Sequence, residues 1–499
     1  MGLTVTLLIA TVVVLVGIVA VRATTRIGLP SLLLYLAFGV LLGVATNWHE
    51  VDLAKDLGTL ALVVILAEGG LTTRWRDVKP FTGLGIALST IAVAVSVLIM
   101  AGFMMLVLGT SWQVAVVTGA IISSTDAAAV FSVLRGLGLP SRITAALELE
   151  SGLNDAPVIL LVTFLSVPID EIHSWWQIVL LIAYELVGGL LIGLAVGFGG
   201  VALMRHGSLP SSGLYALMAL AVLLLSYELA TVAGTSGFLA VYVAGVVLGN
   251  SNLPYQRAVI GFAEALAWLA QICLFVMLGL LVFPAQIPQA ILPALLIGAV
   301  LLFVARPLSV AAASIGRKVP LAEQVFFSWA GLRGAVPIVL ATIPISNGLS
   351  GGWEILHIVF ILVVVFTLLQ GTTLPFIARR LRLTGQSHTQ DVEVEVAVLD
   401  EMAADLMTVS VPDDSRLGGL YIADLRLPPA SAVSLVVRGE VRFVPDQQTR
   451  IHGGDQLLVV VASEQREATE RRVRALARTG RLARWFDDDG EEDRPGGQR

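Results

Sequence analysis

Long apolar runs, separated by short polar stretches, recur from the N-terminus of the chain to about residue 383. A helix needs about 20 apolar residues to cross a bilayer core of roughly 30 Å, and most of the runs reach that length. The pattern predicts an all-α polytopic membrane protein with about thirteen transmembrane helices. The predicted spans are 3–21, 29–46, 56–71, 81–108, 112–134, 145–167, 176–203, 213–231, 235–250, 260–283, 288–314, 321–346 and 354–378.

The charges between these runs predict the topology. Basic residues follow every odd-numbered span, for example Arg22 after the first and Arg74 after the third, whereas even-numbered exits carry acids or little charge. Because positive loops face the cytoplasm, we expect an inner-membrane protein with its N-terminus outside and residues after 383 in the cytoplasm. The first run has no basic residue before it, which favours a membrane helix over a cleaved signal.

Composition agrees with a lipid-embedded protein. The 499 residues are 56% hydrophobic and 14% charged. A soluble fold cannot bury that much apolar surface, so the lipid bilayer is the expected partner. The net charge of −6 argues against a nucleic-acid partner. Neither metal-ligand spacing nor a Gly-x-x-x-x-Gly-Lys phosphate loop occurs, so we expect no cofactor and no enzymatic activity.

Two of the spans contain residues that interrupt helices. The fifth contains four polar residues, Ser123–Asp126, and the twelfth contains Gly, Pro and a charge within Gly331–Pro337. The second lies seven spans after the first, which predicts that spans one to six and eight to thirteen are inverted repeats. Broken helices in inverted halves indicate the midplane site of a secondary transporter. In span eleven, Arg306 followed by Pro307 predicts a kink and a buried ion pair.

The strongest candidate for chemistry is Asp155, near the middle of the sixth span. An acid at that depth is expensive and is functional by default, although a salt bridge is the structural alternative. Glu150, Ser151 and Asn154 share its helical face and add the hard oxygen ligands that a sodium or potassium ion prefers. Asn154 is equally suited to a helix–helix hydrogen bond.

Thr125 and Asp126 are candidates for the second half of the site. Carbonyls of an unwound segment can coordinate a cation, and Asp126 can either bind the cation or balance a half-helix N-terminus. Arg333 needs a buried anionic partner, for which we prefer Glu150 to Asp126. Four other acids lie within predicted spans: Glu68, Glu185, Glu228 and Glu264. The simplest explanation for each is a position at the membrane interface or at a contact between domains. For Glu68, a role in the access path of the ion is the alternative.

The remaining chain predicts a linker, a small α+β cytoplasmic domain and a disordered acidic tail over 384–404, 405–480 and 481–499. The alternating acidic stretch 391–396 suits the linker. Short strands are predicted at 406–411, 432–437, 441–444 and 456–461, and helices at 417–425 and 463–477.

Three sequences, SSTDAAAVF at 123–131, ESGLND at 150–155 and GLRGAVPI at 331–338, resemble the monovalent cation:proton antiporters whose sixth helix carries Asn-Asp. The resemblance spans about residues 1–383. It implies a thirteen-helix homodimer in which spans four to six and eleven to thirteen slide against a dimer domain, as in an elevator. It also implies that the cation is contacted by four residues: Thr125, Asp126, Ser151 and Asp155. It further implies an ion pair between Glu150 and Arg333. Electrogenic relatives carry Asp at the position of Asn154, so the resemblance implies electroneutral exchange.

The tail is similar to the C-terminal half of the regulator of potassium conductance domain, on the sequences 411–426, 435–439 and 451–460. The dinucleotide-binding half is absent from this sequence, so a small regulatory ligand at a dimer interface is the remaining expectation. Such a tail resembles bacterial potassium/proton antiporters linked to cell volume and pH homeostasis, which favours K⁺ over Na⁺. A Na⁺/H⁺ antiporter is the alternative. A potassium channel subunit would need a Thr-Val-Gly-Tyr-Gly filter, which the sequence lacks.

Overall fold

The structure is a computed structural model that separates into two compact units, residues 1–383 and 384–499. In the first unit it describes residues 11–19, 31–46, 50–125, 139–167 and 175–383. In the second it describes residues 393–399, 404–412, 415–439, 441–462 and 465–479.

The first unit is built from helices joined by short non-helical segments in its described residues, as the apolar runs predict. Its helices are α1 (11–19), α2 (Ser31–Thr46), α3 (Val51–Thr72), α4 (Trp75–Val107), α5 (Trp112–Ser123), α6 (Ser141–Leu165), α7 (Trp175–His206), α8 (Ser212–Val232), α9 (Gly237–Gly249), α10 (Gln256–Leu280), α11 (Ile287–Ser314), α12 (Leu321–Trp329), α13 (Ala335–Ser346) and α14 (Gly352–Arg380). Within the described residues, six of them, α4, α7, α8, α10, α11 and α14, are long and apolar enough to cross a membrane.

Both predicted interruptions are present in the described residues. Helix α5 ends at Ser123, and Ser124 is extended with φ −63° and ψ 140°. The twelfth span divides into α12 and α13, with the non-helical segment Ala330–Gly334 between them. Pro337 is tolerated at the third position of α13 because the first N–H groups of a helix have no partner within it. Each break places backbone polar groups inside the helical unit.

One group of helices, called bundle I here, comprises α2, α3 and α7–α10. Its helices approach closely at glycines: a Cβ on Gly39 of α2 would overlap the backbone at Val276 of α10, and a Cβ on Gly70 of α3 would lie 2.5 Å from the carbonyl oxygen of Tyr242 in α9. Small residues allow helix backbones to pack this tightly where lipid supplies no hydrophobic driving force.

A second group, called bundle II here, comprises α4–α6 and α11–α14. Helix α4 packs against α5, α6 and α11, and it widens into π-helical geometry at Leu88–Ala92. Helix α11 widens in the same way at Leu301–Ala305. Pro307 has no N–H for the preceding turn, which accounts for the irregularity there. The two widened turns lie in α4 and α11, which pack against each other, and Arg306 follows directly.

The connection from bundle I to bundle II is held by Asn250, which follows α9. Its Nδ2 donates to the Thr73 carbonyl at 2.8 Å, and its Oδ1 accepts from the Trp75 N–H at 2.7 Å. The end of α3 and the beginning of α4 are therefore both fixed to α9.

The second unit is a five-stranded antiparallel sheet with strand order β1-β2-β5-β3-β4. Its elements are β1 (Glu393–Leu399), β2 (Ala404–Ser410), β3 (Ser431–Arg438), β4 (Val441–Phe443), β5 (Gln456–Ala462) and α15 (Arg466–Thr479). The four strands and the last helix predicted from the sequence are present.

Two predictions for this unit were wrong. The stretch expected to be a linker forms β1, which pairs with β2 along its whole length, because alternating Glu and Val also suit an edge strand. The helix expected over 417–425 is reduced to a 3₁₀ turn at Ile422–Leu425, and Gly418 and Gly419 account for the non-helical backbone before it.

Candidate functional site

Four charged side chains are buried in the described part of the helical unit: Glu150, Asp155, Arg306 and Arg333, none more than 5% exposed. The two acids both lie on α6, whereas Arg306 is on α11 and Arg333 lies in the break between α12 and α13. Isolated buried charges are expensive, so their mutual arrangement determines what the site can do.

Asp155 lies against the extended segment that follows α5. The Ser124 hydroxyl donates to its Oδ1 at 2.7 Å. This contact requires α5 to stop at Ser123, because the extended backbone at Ser124 brings the hydroxyl to α6. The structure therefore brings the end of α5 and the acid of α6 into direct contact.

The neighbouring polar residues form a second contact set one turn away. The Thr125 and Ser151 hydroxyl oxygens are 3.1 Å apart, and Asn154 Nδ2 donates to Thr125 Oγ1 at 2.7 Å. Asn154 thus makes the helix–helix hydrogen bond considered from the sequence. Its carbonyl oxygen, Oδ1, is buried and has no hydrogen-bond partner among the described residues. An acceptor oxygen in that condition suits a cation or a water molecule.

The chemistry of this donor set fits a monovalent cation. It offers one carboxylate, three hydroxyls and an amide oxygen, all of them hard ligands. No cluster of three or more His, Cys, Asp or Glu side chains suited to a resident metal occurs among the described residues. Asp126, which the sequence places beside Thr125, lies outside the described residues.

Glu150 has a partner different from the one expected. The Glu150–Arg333 ion pair is not formed; instead, Arg306 Nη1 lies 2.7 Å from Glu150 Oε1. Arg306 Nη2 also donates to the Phe327 carbonyl at 2.9 Å. Space for the guanidinium comes from Gly331, where a Cβ would lie 2.8 Å from Arg306 Nε. The buried pair predicted for Arg306 is therefore present, with Glu150 as its partner.

Arg333 stands in the break of the twelfth span with its side chain 2% exposed. Its Nε and Nη1 have no hydrogen-bond partner among the described residues, and its charge acts on both Arg306 and Glu150. The Thr367 hydroxyl donates to its backbone carbonyl at 3.4 Å. A fixed positive charge there follows α12, whose C-terminus is the negative end of the helix dipole.

Two residues at the site were missing from the site residues predicted from the sequence. Ser124 is one of the four consecutive polar residues, Ser123–Asp126, of the fifth span, and this position could have indicated its role. Arg306 was signalled by a charge within an apolar run, but its partner was not. The four secondary acids, in contrast, are only partly buried or exposed: Glu68, Glu185, Glu228 and Glu264.

Comparison with known families gives separate matches for the helical unit and for the C-terminal unit. Residues 9–380 match the family model described as sodium/hydrogen exchanger, transmembrane. Residues 406–474 match the TrkA-C domain.

Among curated proteins, the chain is 34% identical over 446 residues to the K⁺/H⁺ antiporter NhaP of Alkalimonas amylolytica, covering 87% of this chain and 77% of that protein. It is 29% identical to the K⁺/H⁺ antiporter NhaP2 of Shewanella oneidensis, covering 96% and 85%. The Na⁺/H⁺ antiporter NhaS2 of Synechocystis is 28% identical, covering 65% and 62%.

Among solved structures, the sodium proton antiporter MjNhaP1 of Methanocaldococcus jannaschii superposes with a TM-score of 0.68 at 22% identity, covering 77% of this chain and 100% of that one. That likeness supports the fold of the helical unit. Together with the family match over most of the chain, it leads to one conclusion: the chain belongs to the transmembrane sodium/hydrogen exchanger family.

Proposed function

We propose that this protein exchanges a monovalent cation, with K⁺ preferred, for H⁺, and that Asp155 binds the two ions in turn. The observation that carries the proposal is the contact between Asp155 and Ser124 at the end of the interrupted fifth span. A carboxylate held there can lose a proton and take a cation among the hydroxyls of Thr125 and Ser151. Asp126 is a further proposed ligand, next to Thr125 in the sequence.

The balance of buried charge favours one-for-one exchange. Glu150 and Arg306 neutralise each other at 2.7 Å, which leaves Asp155 and Arg333 as the other buried charges of the described helical unit. A bound proton and a bound monovalent cation change the charge of that set equally. Asn154 beside Asp155 adds no second titrating group. The two loaded forms then meet the same electrostatic barrier, and exchange is electroneutral.

The division into bundles I and II supports alternating access. The proposed site lies within bundle II, and bundle I packs beside it through α3, α9 and α10. We propose thirteen membrane crossings in inverted repeats, a homodimer, and an elevator-type movement of bundle II against bundle I. The proposed orientation has the N-terminus outside and the C-terminal unit in the cytoplasm of a cell with an inner membrane. There that unit binds a small regulatory molecule.

The preference for K⁺ rests on the named relatives. The two K⁺/H⁺ antiporters align with 87% and 96% of this chain, the latter extending through the C-terminal unit. The Na⁺/H⁺ antiporter NhaS2 aligns with 65%. Na⁺/H⁺ exchange by the same mechanism is the second candidate, because the ligand types suit both ions and the matching family is named for sodium.

The test measures recovery of a proton gradient in inside-out vesicles after addition of KCl or NaCl. Wild-type protein should dissipate the gradient, with K⁺ more effective than Na⁺, whereas Asp155→Asn should lose exchange with both salts. Glu228→Gln is the matched control, because Glu228 is an exposed acid on α8 away from the site. Full exchange by Asp155→Asn would refute the mechanism, and a preference for Na⁺ would establish the second candidate.

A further inference from the structure

A second acid, Glu148, precedes Asp155 on α6. Glu148, Gly152 and Asp155 are spaced i, i+4 and i+7, so all three lie on one face of the helix. At a rise of 1.5 Å per residue the two carboxylates are about 10 Å apart along the axis. Glu148 is partly exposed, whereas Asp155 is buried. The face therefore runs from an accessible carboxylate to an enclosed one.

Tyr242 of α9 covers the stretch between the two acids. A Cβ on Gly152 would lie 2.7 Å from Tyr242 Cζ and 2.9 Å from its hydroxyl oxygen. The end of the phenol ring therefore rests directly on the α6 backbone, in the space that a side chain at position 152 would fill. Tyr242 belongs to bundle I and α6 to bundle II, so the covering group and the covered face lie in different bundles.

Thr73 lies beside Tyr242. Its hydroxyl oxygen lies 3.4 Å from the Tyr242 hydroxyl oxygen and donates to the Gly69 carbonyl at 2.7 Å. Thr73 directly follows α3, and Asn250 fixes its carbonyl to α9. Thr73 and Tyr242 of bundle I and Glu148 of bundle II thus lie toward the end of the helical unit that the proposed orientation places at the cytoplasm.

We propose that Glu148 is a second carboxylate of the transport path, which receives the cation on the cytoplasmic side, and that Tyr242 is the gate between Glu148 and Asp155. The proposal rests on the exchange function proposed above. When Tyr242 lies on Gly152, a cation at Glu148 is separated from Asp155 by the phenol ring. Movement of bundle II relative to bundle I withdraws Gly152 from Tyr242 and opens the face between the acids.

The first experiment measures the apparent KM for K⁺ and the maximal exchange rate of Glu148→Gln from each side of the membrane, in inside-out and right-side-out vesicles. We expect KM to rise roughly two- to fivefold on the cytoplasmic side alone, the effect of losing one partly exposed charge interaction. The maximal rate should stay within about twofold. A folding defect would change both sides equally. Glu228→Gln is the control, and an unchanged or two-sided KM for Glu148→Gln overturns the proposal.

The second experiment tests the gate with Tyr242→Cys in a Cys273→Ser background, which removes the chain's one native thiol. A membrane-impermeant, positively charged thiol reagent should modify position 242 from the cytoplasmic side, and K⁺ should slow the reaction. Modification from the opposite side alone, or from neither side, contradicts a cytoplasmic gate. Modification that K⁺ leaves unchanged shows that the cation does not pass this residue.

The two proposals fail differently. If wild-type protein exchanges no cation, or if Asp155→Asn retains exchange, the proposed function fails. If wild-type protein exchanges and Asp155→Asn does not, while Glu148→Gln is kinetically silent on the cytoplasmic side, the role of Glu148 alone is refuted.

Discussion

The buried pair of Glu150 and Arg306 makes a quantitative prediction, because the sequence favoured Arg333 as the partner. Two double-mutant cycles decide the question: Glu150→Gln combined with Arg306→Met, and Glu150→Gln combined with Arg333→Met. In the structure the first pair is 2.7 Å apart, while Arg333 has unpartnered Nε and Nη1 atoms among the described residues. The first cycle should therefore show the larger coupling energy.

The magnitude follows from burial. The side chains of Glu150 and Arg306 are 1% and 4% exposed, so water cannot replace the partner that is lost. Removing one member of such a pair costs about 3–5 kcal/mol of unfolding free energy, because an uncompensated buried charge remains. The coupling in the first cycle should reach about 2–3 kcal/mol, near the upper end for residues in contact. In the second cycle it should stay below about 1 kcal/mol, since no hydrogen bond joins the groups.

The assay is reversible unfolding of the purified protein in mixed micelles, followed by far-ultraviolet circular dichroism. Gly331→Ala provides an independent check, because its Cβ would lie 2.8 Å from Arg306 Nε and must displace the guanidinium. It should weaken the coupling between Glu150 and Arg306 without removing either charge. A coupling to Arg333 that equals or exceeds the coupling to Arg306 would show that the assignment of partners is wrong.

Two further predictions concern other contacts. Ser124→Ala should raise the apparent cation KM about tenfold, because it removes a hydrogen bond to the Asp155 carboxylate. Ser123→Ala is the control, since its hydroxyl donates to the Gly119 carbonyl within α5, and equal kinetics for the two variants would contradict the prediction. In the C-terminal unit, burial disfavours the charged form of Asp455, but hydrogen bonds from Arg438 and a backbone N–H outweigh it, so its pKa lies below the ordinary value. That stabilisation is complete above the unfolded-state pKa and is lost as pH falls through the folded-state pKa. Limited proteolysis of the full chain, with one protease active at acid pH and a second active near neutral pH, should therefore show that Asp455→Asn lowers the protection near neutral pH and flattens its pH dependence. Protection identical to wild type at every pH would refute this.

Hydropathy predicted the helical unit well because each membrane helix satisfies its backbone hydrogen bonds internally, so its position depends on local composition. The break in the twelfth span was equally local, since Gly331, Gly334 and Pro337 determine it. The partner of Glu150 was not local. It depends on how α11 packs beside α6, on the widened turn before Arg306, and on the gap at Gly331, none of which can be deduced from the spacing of charges.

The candidate site likewise combines features that local sequence predicts with features that depend on the fold. The face formed by Ser151, Asn154 and Asp155 followed from helical periodicity alone. The contact from Ser124 required the backbone angles at the end of α5, which polar residues in a row do not specify. In the C-terminal unit, alternation of Glu and Val suited both a charged linker and an edge strand, and only pairing with β2 distinguishes them.

The attachment of Asn250 to Thr73 and Trp75 restricts the motions available to the protein. Both ends of the connection between α3 and α4 are bound to α9, so the first turn of α4 must travel with bundle I. For the elevator-type movement proposed above, we therefore expect α4 to swing about Trp75, with displacement growing along α4 toward its far end. Loosening this attachment, as in Asn250→Ala, should then change the extent of the proposed movement without altering any of the proposed cation ligands.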